Sequence, residues 1–200
     1  MIAKIKILIF TTMIINVISI NTAISENLII DNLENIQSNE YKEEFCENTS
    51  TKWCFVTDKV MGGISNGILK IGMSEKIKFY NMTGNVSTKN NGGFIQFRTK
   101  VKNHPKNILY KGVRIKVRGN DQEYAIHIRT KYLFLPWQYY ESVFIASREW
   151  NIIELPFKSF KKSNFYQPTN VASSDIKTIG IVAIGRDFVA DVDLAQIEFY

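Results

Sequence analysis

The sequence contains few of the residues from which catalytic and metal-binding sites are built. Only two histidines, His104 and His127, and two cysteines occur among its 200 residues. The motifs of zinc proteases, serine hydrolases, phosphate-binding loops and dinucleotide-binding folds do not occur in it. His104 lies in an Asn-His-Pro turn and His127 has basic neighbours, so neither is placed to activate a nucleophile. We therefore expect a protein that is not an enzyme and that needs no cofactor or bound metal.

The sequence also lacks helical periodicity, because no long amphipathic helix is predicted after residue 50. Short segments instead alternate apolar and polar residues, as expected when one face of a strand is buried. Strands are predicted at 95–101, 113–118, 124–129, 141–146, 150–155, 176–185 and 192–199. Within them, 179–184 is apolar on both faces, which predicts a central strand. Regularly spaced short strands without helices indicate one all-β domain, an antiparallel β-sandwich or barrel.

The first 25 residues have the pattern of an export signal. Two lysines precede the apolar run at 7–20, and the small residues at 23–25 have the spacing that a signal peptidase reads. The run is shorter than the roughly 20 residues that span a bilayer. We therefore predict a cleaved signal peptide at 1–25 and an exported protein of the periplasm or cell envelope. Anchoring to the membrane by residues 5–20 is the alternative.

The rest of the chain is predicted to form a polar segment at 26–44 and one domain at 45–200. The polar segment is either a short helix or a tether. The formal net charge of +6 is modest and the cations are spread along the chain, so we expect no nucleic acid partner. Cys46 and Cys54 can form a disulfide in an exported chain, or they can remain two separate thiols.

Two glycine-rich loops border predicted strands, TDKVMGGISNG at 57–67 and KNNGGF at 89–94. Paired glycines permit positive φ angles and let two backbones approach closely. The carboxylate of Asp58 suits hydrogen bonds to free turn amides, and Arg98 is placed to brace it. We predict that the loops contact each other at one end of the sandwich, and a ligand-binding rim is the alternative. The residues concerned are Asp58, Met61, Gly62, Gly63, Ser65, Asn90, Asn91, Gly92, Gly93, Phe94 and Arg98.

Basic and aromatic residues indicate a surface for a ligand. If the strands around 98, 114 and 129 are neighbours, their outward side chains form one cationic face that attracts anionic groups. An ordinary solvated sheet face is the alternative. The aromatic loop that follows offers rings that stack on sugars or anchor a protein interface. The cationic candidates are Arg98, Lys100, Arg114, Lys116, Arg118, His127 and Arg129, and the aromatic candidates are Trp137, Tyr139 and Tyr140.

One pair of carboxylates could support chemistry. Asp191 and Asp193 are two residues apart on a predicted strand, so they point to the same face. Such a pair can hold a cation or act in glycoside hydrolysis. Two solvated strand residues are the commoner outcome, which makes a binding protein the better prediction. Trp53 and Trp150 are predicted to belong to the core.

Four motifs follow one another along the chain in a characteristic order, and together they resemble the complex I intermediate-associated protein 30 family. The usual D-x-V-M-G-G-x-S loop, N-N-G-G-F-x-x-x-R strand, R-x-x-G-D turn and W-x-x-x-x-L-P-F segment correspond to Asp58–Ser65, Asn90–Arg98, Arg118–Asp121 and Trp150–Phe157. The turn departs from the pattern, because Asn120 is inserted and it reads RGND. The resemblance extends over about residues 45–200.

The resemblance implies a jelly roll similar to galactose-binding-like domains and carbohydrate-binding modules. Mitochondrial members of the family are chaperones in the assembly of respiratory complex I, without known catalysis. It therefore implies a non-catalytic assembly factor with a membrane-associated protein client, although an exported chain would lie on the other side of its membrane from those members. A carbohydrate-binding module of the cell envelope, using Trp137, Tyr139 and Tyr140, is the alternative. An enzyme using Asp191 and Asp193 is the third hypothesis.

Overall fold

The chain folds into two antiparallel β-sheets packed face to face. The computed structural model describes residues 27–34, 53–102, 105 and 107–200. In these ranges it has twelve strands, four short 3-10 turns and no α-helix. The predicted all-β antiparallel sandwich is confirmed. No helix in this part of the chain is long and apolar enough to cross a membrane.

Sheet I is centred on the long C-terminal strand. Its strands in spatial order are β3 (Asn66–Ser74), β4 (Ile77–Val86), β12 (Phe188–Phe199), β6 (Gly112–Gly119) and β9 (Asn151–Pro156). The first half of β12 pairs with β4. A further strand, β1 (Leu28–Asp31), pairs with the second half of β12. The longest strand therefore organises this sheet.

Sheet II contains the other six strands. In spatial order these are β10 (Lys161–Lys162), β8 (Tyr140–Ala146), β7 (Gln122–Thr130), β11 (Ile176–Ile184), β5 (Phe94–Lys100) and β2 (Trp53–Thr57). The apolar strand β11 lies between β7 and β5, so its prediction as a central strand is confirmed. Its outward residues are also largely buried, which agrees with the absence of alternation in its sequence.

The core lies between the sheets and follows the alternation read from the sequence. Ile95 and Phe97 of β5 are fully buried, as are Ile126 and Ile128 of β7. Burial of each such side chain contributes about 2 kcal/mol to the free energy of unfolding. Trp53 lies among them, with its ring centroid 5.1 Å from that of Phe97. The prediction that Trp53 belongs to the core is confirmed.

The described part of the polar segment, residues 27–34, contributes strand β1 to the sandwich, so these residues form neither a helix nor a tether. The carboxylate of Asp31, at the end of β1, is buried. It accepts hydrogen bonds from Trp53 Nε1 at 2.6 Å, the Tyr80 hydroxyl at 3.2 Å and the Leu33 amide at 3.0 Å. The described part of the domain thus begins near residue 27 rather than at 45.

The strand register places the loops at two opposite ends of the sandwich. Thr57 lies opposite Ile95, so the loops at 58–65 and 87–93 meet at one end, which we call the Asp58 end. Thr130 lies opposite Ile176 at the other end. We call this the aromatic end; it carries the loops at 131–139 and 163–175. Residues 1–25 lie outside the described residues.

Candidate functional site

The Asp58 loop is organised around one buried carboxylate. Residues Asp58–Met61 form a 3-10 turn after β2, and Gly62 closes the turn with φ of 89°. The side chain of Asp58 is completely buried. Its Oδ1 accepts a hydrogen bond from the Ser65 amide at 2.9 Å, and its Oδ2 accepts one from the Ser65 hydroxyl. The carboxylate therefore fixes both ends of its own loop.

The second loop reaches the same carboxylate. Oδ2 of Asp58 also accepts hydrogen bonds from the amides of Gly93 at 2.6 Å and Phe94 at 3.2 Å. Asn90 and Asn91 have φ of 57° and 56°, in the left-handed region that asparagine tolerates better than most residues. These angles turn the chain so that the amides after them point at Asp58. The two predicted loops thus contact each other through one side chain.

Two glycines leave the space that the carboxylate occupies. A Cβ at Gly63 would lie 2.3 Å from Cγ of Asp58, and a Cβ at Gly92 would lie 2.4 Å from its Oδ2. Both distances are far shorter than the distance between a Cβ atom and any non-bonded heavy atom in real structures. Glycine is therefore required at these two positions by close approach to Asp58.

Hydrogen bonds keep the carboxylate ionised. Burial alone would raise the pKa of Asp58, but bonds from the Ser65 hydroxyl and from the amides of Gly93, Phe94 and Ser65 outweigh burial, and the pKa is lowered. The Ser65 hydroxyl also accepts a hydrogen bond from the Ser87 amide at 2.9 Å. The network thereby extends to the end of β4.

Apolar side chains project from this fixed loop into solvent. Val60, Met61 and Ile64 are 62%, 64% and 45% exposed. A cluster of exposed apolar residues on a loop that cannot rearrange freely is typical of an interaction surface. The sequence indicated Met61, while Val60 and Ile64 were missed, although their positions beside Asp58 and Ser65 could have identified them.

The predicted contact between Arg98 and Asp58 was wrong. Arg98 lies opposite Cys54 on β2, four residues before Asp58 in the sequence. The hydrogen bonds described for the Asp58 carboxylate come from Ser65, Gly93 and Phe94. Backbone amides donate the hydrogen bonds to Asp58 that the guanidinium of Arg98 had been expected to donate. Burial lowers the pKa of Arg98.

The predicted single cationic face was also wrong, because its members lie on two different sheets. Arg98, Lys100, His127 and Arg129 belong to sheet II, whereas Arg114, Lys116 and Arg118 belong to β6 of sheet I. Strands consecutive in sequence were assumed to be neighbours, but β5 pairs with β11 and β2, and β6 pairs with β12 and β9. The two groups point away from each other on opposite faces.

Carboxylates also neutralise two members of the sheet I group. Arg114 pairs with Glu154 at 2.7 Å and with Glu198 at 2.6 Å. Arg118 Nε donates to Asp193 at 2.7 Å, and its guanidinium lies 4.7 Å from the ring centre of Trp150. Trp150 is therefore half-buried on the outer face of sheet I, and its prediction as a core residue was wrong.

The outer face of sheet II carries a shallow depression of about 300 Å³. Its lining includes Glu123, Ala125, Tyr139, Glu141, Val143 and Ile184. At its edge the ring of Tyr139 stacks on His127, with centroids 3.9 Å apart and planes 12° apart. His127 Nε2 lies 2.8 Å from Glu141 Oε2, and this hydrogen bond lowers the pKa of Glu141 despite burial. The depression combines an aromatic ring with two carboxylates.

The three aromatic candidates have different environments. Trp137 is exposed in the loop at 131–139, and Tyr139 borders the depression. Tyr140 is buried in the core, and its hydroxyl donates to the Pro168 carbonyl at 2.8 Å. The prediction of Tyr140 as a ligand residue was therefore wrong, because alternation along β8 turns it inward. Arg129 donates to the carbonyls of Pro136 and Leu135 and so supports the loop from the outer face of the sheet.

Asp191 and Asp193 share one face of β12, as predicted. Nδ2 of Asn81 donates to both carboxylates, at 2.9 Å and 2.7 Å. Burial raises the pKa of Asp193, although the bonds from Arg118 and Asn81 lower it. In the described part of the chain no group of three or more His, Cys, Asp or Glu side chains could hold a metal ion.

The cysteines and the inserted Asn120 are the two remaining features that the sequence indicated. Cys54 is disulfide-bonded, and Cys46 lies outside the described residues. The inserted Asn120 donates to the Val189 carbonyl at 2.8 Å and accepts from the Tyr124 hydroxyl at 2.7 Å. It therefore ties the β6–β7 turn to β12.

Comparison with solved structures gives the fold. The family 11 carbohydrate-binding module from Clostridium thermocellum, in complex with a β-1,3-1,4-mixed-linked tetrasaccharide, is 12% identical with a TM-score of 0.63, over 86% of this chain and 94% of that chain. The family 30 carbohydrate-binding module of a cellulosomal cellulase of the same organism is 9% identical with a TM-score of 0.56, over 88% and 97%. The fold is thus the jelly roll of galactose-binding-like domains.

Comparison of the sequence gives the family. No curated protein matches the chain. The family model described as "Complex I intermediate-associated protein 30" matches residues 41–194, which include both loops that meet at Asp58. Both this family and the carbohydrate-binding fold are non-catalytic kinds of domain. The chain belongs to the complex I intermediate-associated protein 30 family.

Proposed function

We propose that the chain is a non-catalytic protein-binding domain that assists the assembly of a membrane protein complex. The observation that carries this proposal is the Asp58 loop, which exposes Val60, Met61 and Ile64 on a backbone fixed by a buried carboxylate. A preorganised loop loses little conformational entropy on binding, so its apolar side chains can contribute most of their burial energy to affinity. Membership of the family supports a protein client rather than a small molecule.

We propose further that this activity lies outside the cytoplasm, which the leader pattern of residues 1–25 supports. An exported chain would meet its client at the periplasmic or envelope side of a membrane. The proposal gives Asp191 and Asp193 a structural role, supported by the bonds from Asn81 to both carboxylates and from Arg118 to Asp193.

Site-specific crosslinking in the native cell envelope tests this function. A photoreactive amino acid is introduced at Met61 and, as the matched control, at Ile152, which is similarly exposed on β9 of sheet I. We expect Met61 to capture one or a few discrete proteins and Ile152 to capture none of them. Equal capture at both positions would contradict the proposed docking loop.

A double variant tests whether the apolar side chains of the Asp58 loop contribute to binding. Met61→Ser with Ile64→Ser should reduce recovery of the captured protein at least tenfold, since it removes two apolar contacts without touching Asp58. The melting temperature should stay within a few degrees of the wild-type value, because both side chains are exposed. Undiminished recovery would move the binding site elsewhere.

The depression on sheet II favours a second function, carbohydrate binding. Tyr139 provides a ring face, and the carboxylates of Glu123 and Glu141 can accept hydrogen bonds from sugar hydroxyls. These groups suit a neutral sugar. The similarity to a carbohydrate-binding module in complex with a tetrasaccharide supports this candidate at the level of fold.

A glycan array distinguishes the two functions. We expect specific glycan binding to be abolished by Tyr139→Ala if the depression is a sugar site, and by Trp137→Ala if the sugar lies on the exposed loop. Val60→Ser, which lines neither the depression nor the loop at 131–139, serves as the control and should leave glycan binding unchanged. An array without specific binding removes the carbohydrate candidate.

A further inference from the structure

The aromatic end exposes more large apolar surface than the Asp58 end. Phe134 and Trp137 in the loop at 131–139 are 85% and 60% exposed, and Phe165 and Tyr166 in the loop at 163–175 are 84% and 87% exposed. Leu135 adds further apolar surface next to them. Single exposed apolar residues are ordinary, but a group of aromatic rings at one end of a domain marks an interaction surface.

Hydrogen bonds between the two loops hold these rings in one patch. Ser163 donates from its amide to the Tyr139 carbonyl at 3.0 Å and from its hydroxyl to the Trp137 carbonyl at 3.2 Å. Gln167 Nε2 donates to the Tyr139 carbonyl at 2.9 Å. Inside the first loop, Gln138 Oε1 accepts from the amides of Phe134 and Leu135. These bonds fix the backbone positions from which the exposed rings project.

Among the residues that the structure describes, the unpaired exposed charge around the patch is positive. The sequence has no Asp or Glu in 131–139 or 161–174. Exposed lysines lie on β10 and on or beside the neighbouring ends of β5 and β11, and they are Lys100, Lys102, Lys161, Lys162 and Lys177. The nearby carboxylates are engaged, since Asp175 pairs with Lys131 at 2.6 Å and Glu141 bonds to His127. An anionic partner therefore meets attraction at this end.

We propose that the aromatic end docks on the surface of a bilayer that contains anionic phospholipids. Aromatic side chains favour the region between headgroups and acyl chains, and surrounding lysines are attracted by the negative surface. Rings at the tip with cations around them match this layered chemistry. The rim of a protein interface is polar, but nothing in its chemistry requires charge of one sign. The proposal does not depend on client binding at the Asp58 loop.

Docking in this way sets the orientation of the domain. The strands run from one end of the sandwich to the other, so the Asp58 loop would face away from the bilayer. Val60, Met61 and Ile64 would then be presented to a part of a client that extends beyond the membrane surface. The lipid surface and the client would occupy opposite ends.

Vesicle flotation of the full chain tests the proposal. Vesicles of phosphatidylcholine alone are compared with vesicles that also contain phosphatidylglycerol. We expect stronger binding to the anionic vesicles and a decrease with added salt. Lys161→Gln with Lys177→Gln should weaken that binding roughly 25-fold, about fivefold for each lysine removed. Phe134→Ser with Phe165→Ser should weaken binding to a similar extent, and the matched control Val60→Ser with Met61→Ser should leave it unchanged.

A fluorescence measurement locates the contact. Brominated lipids in the anionic vesicles should quench part of the tryptophan emission, and Trp137→Phe should abolish the quenching. Trp53 is buried in the core and Trp150 follows the loop at the Asp58 end, so neither is expected to reach the lipid. Equal binding to neutral and anionic vesicles, or equal loss in the control variant, would overturn the proposal. So would quenching that survives Trp137→Phe, or capture of a soluble protein by this end without any lipid binding.

Discussion

The two ends of the sandwich both expose apolar side chains, but they hold their loops in different ways. At the Asp58 end a buried carboxylate accepts hydrogen bonds from Ser65, Gly93 and Phe94. At the aromatic end the support is divided among several side chains, because Gln138 and Ser163 bond to the loop backbone and Arg129 donates to two loop carbonyls. An ionised acceptor makes stronger hydrogen bonds than a neutral one, and its loss leaves several donors unsatisfied.

The comparison indicates how one small domain can carry two different surfaces. The Asp58 end depends on a single network, so its shape is sensitive to a few residues and tolerates little change. At the aromatic end several separate hydrogen bonds hold the loops, and the exposed rings do not take part in them. The two ends also differ in the signs of their charged residues. Lys59, Lys89, Arg186 and Asp187 give the Asp58 end both signs. In the described aromatic end the one acid of the loops, Asp175, is paired with Lys131, and the neighbouring strand ends carry exposed lysines.

Substitution of the central acceptor at each end should give the largest difference. Asp58→Ala leaves buried amides without a partner, so we expect a loss of about 3 kcal/mol in the free energy of unfolding. This corresponds to a fall of roughly 10 °C in melting temperature for a domain of this size. Gln138→Ala, at the aromatic end, should cost about 1 kcal/mol. Thermal unfolding of both variants measures the difference, and equal losses would show that the two ends are supported alike.

Adjacent glycines at the Asp58 end give a sharper version of the same test. Gly63→Ala places a Cβ against the side chain of Asp58, so we expect a loss of about 2 kcal/mol. Gly62→Ala meets no atom within 4 Å and is penalised only by its φ of 89°, at about 1 kcal/mol. Chemical denaturation resolves the two variants. A larger loss at Gly62 would mean that backbone strain, and not contact with Asp58, determines this motif.

Much of the fold could be predicted because alternation of side chains reports burial directly. The strands at 94–100, 112–119 and 122–130 lie close to their predicted bounds, and β11 is central. The pairing of strands could not be read in the same way. Alternation says which residues face inward and nothing about which strand lies beside it, so the cationic residues of β5, β6 and β7 were placed on one face.

The site was predictable where the chemistry is local and not where it is distant. Paired glycines with an aspartate indicated loops that meet, and the contact between Asp58 and Gly93 is present. The partner assigned to Asp58 was wrong, because backbone amides carry no signature in the sequence. Asp31 was missed for a related reason: its donors, Trp53 and Tyr80, are distant in sequence. The only sequence signal for a buried Asp31 was its position directly after the apolar residues LII at 28–30.

The pH dependence of stability should also separate the two ends. The folded-state pKa of Asp58 is lowered, so its ionised form favours folding. This contribution is complete above the unfolded pKa of about 4 and is lost as the pH falls through the folded value. The deficit of Asp58→Ala relative to wild type should therefore shrink between pH 7 and pH values below about 3. Denaturation at several pH values measures it, and the deficit of Gln138→Ala should stay constant over the same range.

The smallest effect on stability is expected from the exposed rings of the aromatic end. Phe134→Ser with Phe165→Ser should change the free energy of unfolding by less than about 0.5 kcal/mol, because both rings are in solvent and the loops are held by other side chains, Gln138 and Ser163. Denaturation of the double variant beside Tyr140→Phe makes the contrast, since Tyr140 is buried and its hydroxyl bonds to Pro168. The tyrosine variant should lose about 1 kcal/mol. A substantial loss in the double variant would mean that the rings pack against the domain, and the separation of support from recognition at this end would fail.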